Sequence, residues 1–102
     1  MSESLKSAIK RVIRDEQSYA SRLQAQGDFG RAKLAVAALN EIQDGLREAA
    51  AGDGDYATRL EDILWEKRST YTEYWDDEDG VGTSNFSRIF DLISAAQDKS
   101  EA

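Results

Sequence analysis

Gln24-Ala25-Gln26-Gly27-Asp28-Phe29-Gly30-Arg31-Ala32 carries the signals on which the fold turns. Glycine stops a helix because it takes the left-handed backbone conformation cheaply, and the aspartate after it can accept a hydrogen bond from the first free amides of the next helix. The same order returns as Gly54-Asp55-Tyr56. Upstream, Leu5, Ile9, Val12, Ile13, Tyr19, Ala20 and Leu23 recur at three- and four-residue steps, which predicts a helix over 3–26 with Glu16 inside its apolar stripe. Downstream, Phe29, Ala32, Val36, Leu39, Ile42, Leu46 and Ala50 predict a second helix over 29–51, with Gly45 marking a close backbone contact.

Beyond Asp55, the residues Leu60, Ile63, Leu64, Tyr71, Tyr74 and Trp75 predict a third helix over 56–77. Gly80-Val81-Gly82 then reads as a flexible joint, followed by a short fourth helix over 85–96 with Phe86, Ile89, Phe90 and Ile93 on its apolar face. No proline interrupts these segments, and no useful run alternates in the manner of a strand. The expectation is an all-α, up-down-up bundle of three long helices closed by the short fourth. It forms one domain over 1–97, with a polar, frayed tail over 98–102.

Composition narrows the function. The 102 residues include no histidine and no cysteine, which removes the usual zinc ligands and the Ser-His and Cys-His nucleophiles. Neither an enzyme nor a cofactor or metal site is expected. No stretch of about 18 apolar residues is present, and the first residues do not resemble a signal peptide, so the expected location is cytoplasmic. The net charge of −7 is uneven: residues 1–34 hold seven basic and four acidic side chains, and residues 35–102 hold six and sixteen. Such a surface repels nucleic acid and anionic lipid and suits a basic protein partner.

One segment exceeds what folding asks for. Trp65 to Asp79 contains both tryptophans and two of the four tyrosines, and ends in Asp76-Asp77-Glu78-Asp79. Trp65, Tyr71 and Trp75 return to one helix face, which points to core packing for the first two. Four acids at the negative end of helix 3 oppose the helix dipole, so neutralising them should cost no stability. A calcium loop with Gly80 as its glycine would put Trp75 and Phe86 where the first and last ligands belong, and calcium is not expected.

The candidate partner-binding residues are therefore Tyr71, Tyr74, Trp75, Asp76, Asp77, Glu78 and Asp79, with carboxylates facing Lys/Arg-rich protein and aromatics supplying apolar contact. One concrete form is an inhibitor that mimics nucleic acid, a strategy often used by phage-encoded anti-CRISPR proteins. The alternative is a self-associating structural or assembly subunit that uses helix 1 or helix 4. Lys6, Lys10 and Arg14 step by four along helix 1, with Arg11 beside them, and read as a solvated flank.

Overall fold

The computed structural model describes residues 4–101, with side chains through Asp98. It is all-helical: α1 (Leu5–Ala25), α2 (Phe29–Ala50), α3 (Tyr56–Tyr74) and α4 (Val81–Glu101), with no strand among the described residues. The start expected at residue 3 and the last tail residue, 102, lie outside the described residues. No described helix is long and apolar enough to cross a membrane.

The breaks follow the local chemistry of glycine and aspartate. Gly27 has φ of 85°, and the amides of Gly27 and Asp28 donate to the carbonyls of Gln24 (3.0 Å) and Leu23 (2.9 Å), closing the end of α1. The Asp28 carboxylate accepts from the Arg31 amide, and Asp55 accepts from the amide and hydroxyl of Thr58 (3.2 and 2.7 Å). Such caps each contribute about 1 kcal/mol. Arg59 reinforces the second break by donating to the Asp53 carbonyl at 2.7 Å.

α2 is the central helix and packs on each of the other three. Its buried face is Ala32, Ala35, Ala38, Leu39, Ile42, Gly45 and Ala49. This face is rotated from the expected stripe, leaving Phe29 and Val36 exposed. The reason is steric: at Ala35, Ala38, Gly45 and Ala49 this helix lets its neighbours approach closely, so counting large apolar side chains misplaces the face. The other contributors to the core are Ile9, Val12 and Ile13 of α1, Leu60, Leu64 and Tyr71 of α3, and Phe86, Ile89 and Ile93 of α4. Burying each large aliphatic or Phe side chain favours folding by about 1.5–3 kcal/mol.

α4 differs most from expectation. It begins at Val81, runs 21 residues, and includes the glycine pair's second member and residues 97–101. It packs on its own chain against α1, α2 and α3. Trp65 faces Phe90 and Tyr71 faces Phe86, so α3 and α4 pass in opposite directions. Across α1 and α4, buried Glu16 pairs with Arg88, whose second acidic neighbour is Asp15 at 3.9 Å. Asn85 is also buried, and neither polar atom of its side chain has a partner among the described residues.

Gly82 makes the closest crossing. A methyl group there would overlap the hydroxyl and ring of Tyr71 and lie 2.9 Å from the Ala38 side chain. Gly82→Ala should therefore destabilise the protein by about 1–3 kcal/mol, a Tm loss of roughly 5–20 °C, despite alanine's better helix propensity. A thermal melt showing equal or higher Tm would refute the close packing.

Candidate functional site

The acid-rich segment is a turn and not the end of a helix. α3 stops at Tyr74, and Trp75 is extended (φ −117°, ψ 136°) with its amide donating to the Tyr71 carbonyl at 2.9 Å. The Gly80 amide donates to the Asp77 carbonyl at 3.3 Å, and Gly80 itself has φ of 72°, a conformation suited to glycine. These bonds fold residues 75–80 back onto the start of α4.

Asp77 is the centre of that turn. Its carboxylate accepts from the amides of Val81 (2.8 Å), Gly82 (2.9 Å) and Thr83 (3.2 Å), and from the Tyr71 hydroxyl (3.0 Å). Partial burial pushes the carboxyl pKa up, but the Thr83 amide, the Tyr71 hydroxyl and the Gly82 and Val81 amides outweigh it and hold the group below its ordinary value. Burial, followed by the hydrogen bond and charge of Asp77, raises the Tyr71 phenol well above its ordinary value. The expected opposition to a helix dipole is reversed, because Asp77 lies at the positive N-terminus of α4.

The remaining predicted site residues separate into internal and exposed groups. Tyr71 is 1% exposed and packs on Phe86, so it belongs to the core. Asp79 pairs with Arg31 of α2 at 3.2 Å, and Trp75 is half-buried with the Lys33 ammonium 5.4 Å from its ring centroid. Tyr74 is 81% exposed. Asp76 and Glu78 are also exposed, and neither has an ion-pair partner among the described residues. A groove of about 320 Å³ between α2 and α3 reaches this point, lined by Ala37, Asn40, Glu41, Thr70, Tyr71, Tyr74 and Trp75.

Two other surface features depart from the sequence reading. Trp65 is 52% exposed and stacks on Phe90 at 4.4 Å, with Arg68 over it, rather than entering the core beside Leu64. Phe29 and Val36 are exposed on α2, on either side of Lys33. Their signal was the density of alanines on the opposite side of that helix. Lys6, Lys10 and Arg14 are exposed, in keeping with a solvated flank, and they border depressions between α1 and α2 that also contain Arg47.

No protein-family model, curated protein or solved structure matches this chain.

The Asp77 geometry makes its own test. Asp77→Ala removes a helix cap and should cost about 1–2 kcal/mol at neutral pH, contrary to the expectation that these acids are dispensable. Because the folded-state pKa is depressed, the stabilisation is complete above the unfolded carboxyl value near 4 and is lost as pH falls through the folded value. Denaturant melts should show wild type and variant converging in acid. A constant difference through that range would disprove the role of the ionised cap.

Proposed function

We propose that this chain is a non-enzymatic protein-binding module whose acidic α3–α4 tip engages a basic protein surface. In this reading the four helices run up-down-up-down, and the turn after α3 is presented at one end of the bundle. The observation that carries the proposal is Tyr74, a large aromatic 81% exposed beside the carboxylates of Asp76 and Glu78, which have no ion-pair partner among the described residues. An aromatic anchor rimmed by charge is the usual composition of a strong contact point, and the charges speed encounter with a partner of opposite sign. Tyr74, Asp76 and Glu78 make the direct contact, and Trp75 supports them. Tyr71 and Asp77 shape the turn from within, and Asp79 ties it to α2.

Ionisation at the tip supports binding over catalysis. Asp77 is shifted down and Tyr71 up, each away from neutral pH, whereas a general acid or base works best with a value near the operating pH. Both groups also spend their hydrogen bonds on the fold. One form of the module is an inhibitor that places Asp76 and Glu78 where a basic protein would otherwise hold phosphates.

The test compares wild type with the triple variant Tyr74→Ala, Asp76→Asn, Glu78→Gln as immobilised bait, with captured proteins quantified by mass spectrometry. The variant should keep its Tm, since these side chains are exposed, and lose basic partners by at least about tenfold, the loss expected of one aromatic hot spot. Capture should also weaken at raised salt. Equal capture by a folded variant would sink the proposal.

A further inference from the structure

The two depressions between α1 and α2 form one continuous groove. They measure about 240 and 490 Å³ and share Lys10, Leu46 and Arg47. Ile9, Ile13, Leu46, Ala50 and Tyr56 supply apolar walls, and Lys6, Lys10, Arg14 and Arg47 supply cationic ones. No carboxylate lines either part, although the chain has 20 acidic residues against 13 basic. Composition alone would favour the reverse. Lys10 and Arg14 have no ion-pair partner among the described residues, Arg47 pairs with Asp44 of its own helix, and Lys6 lies over the Tyr56 ring at 4.8 Å. The groove thus calls for an occupant with an apolar body and several negative charges.

The same molecule presents such a segment at its other end. Arg31 and Lys33, near the start of α2, touch Asp79 and Trp75 of the tip. The groove uses Leu46, Arg47 and Ala50, near the end of α2. The residues of α2 that touch the tip and those that line this part of the groove are 13 to 19 positions apart, about 20–29 Å, so a chain does not seat its own tip in its own groove. We propose that the tip of one copy docks in the α1–α2 groove of a second copy, with Tyr74 against the apolar walls and Asp76 and Glu78 facing Lys10, Arg14 and Arg47. This rests on the tip reading above and names its partner as the chain itself.

Size and charge are consistent with that occupant. A cavity of about 150 Å³ admits a benzene ring, so the 240 Å³ part accepts a phenol. Each copy carries −7, but at physiological ionic strength the Debye length of about 8 Å screens the distant charges and leaves the contact pairs. Because tip and groove are different surfaces, two copies can exchange tips reciprocally in a closed dimer, and a single contact that leaves one tip and one groove free continues into longer chains or rings.

Two neutralised variants test this by sedimentation velocity. The tip variant carries Tyr74→Ala, Asp76→Asn and Glu78→Gln, and the groove variant carries Lys10→Gln, Arg14→Gln and Arg47→Gln. Wild type should form dimers or larger species as concentration rises. Each variant alone should stay monomeric. Their equimolar mixture should give a 1:1 dimer and nothing larger, because it contains one working tip and one working groove. A wild type that is monomeric at every concentration overturns the proposal, and that measurement stands even if a variant fails to fold. Association that survives in either variant alone also overturns it, by placing the contact elsewhere. Both results leave the tip reading itself to the capture experiment, where a foreign basic partner can still be lost with Tyr74.

Discussion

The carboxylate of Asp77 holds the second half of this structure in place. Three amides of the first turn of α4 and one phenol converge on its two oxygens. A helix N-terminus has free donors and a partial positive charge, and a carboxylate placed there satisfies both. Several features follow from this one placement. α3 ends at Tyr74 because the chain must leave the helix for Asp77 to reach the α4 amides. α4 starts at Val81, well before its first large apolar residue, because its first turn is already capped. Tyr71 can be buried because its hydroxyl has an acceptor, and Gly82 leaves room for the ring beneath α4.

The sequence conveyed some of this fold and concealed the rest for physical reasons. The breaks at Gly27-Asp28 and Gly54-Asp55 were legible because glycine and its capping aspartate act on the nearest amides. Four helices, the approximate starts of the first three, and the core roles of Ile9, Leu60, Leu64, Phe86, Ile89 and Ile93 were legible from three- and four-residue periodicity. The start of α4 was not. Its stabilising acid lies four residues before Val81, inside a run of like residues that look equivalent until folded. The buried face of α2 was missed because Ala35, Ala38 and Gly45 identify themselves by small size and not by hydrophobicity. Of the candidate site, Tyr74, Asp76 and Glu78 remain at the surface; Tyr71 and Asp77 were chosen for the right segment but act inside it.

Charge in the folded chain is arranged by end as well as by sequence. Lys6, Lys10, Arg14 and Arg47 gather around apolar walls at one end, and the acidic turn occupies the other. Neither arrangement is needed for the core, whose only buried charge is Glu16 beside Arg88 among the described residues. Exposed ion pairs such as Arg31–Asp79 each contribute only about 0.2–1 kcal/mol. The polarity of the molecule is thus largely a property of its surface, and it can change without disturbing the packing beneath. That separation is what makes the exposed residues of the tip and groove informative about recognition.

The small-residue face of α2 also bears on the entropy of folding. Ala32, Ala35, Ala38, Ala49 and Gly45 have no side-chain rotamers to lose when buried, whereas a leucine or isoleucine at each place would forfeit about 0.5–1 kcal/mol. Five of the seven buried positions of this central helix are therefore ordered cheaply. Rotamer freedom is surrendered there only by Leu39 and Ile42, and otherwise by Leu, Ile, Val, Phe and Tyr side chains of α1, α3 and α4, which close around it. In a core this small, the centre is a nearly smooth rod, and the interlocking is left to its surroundings.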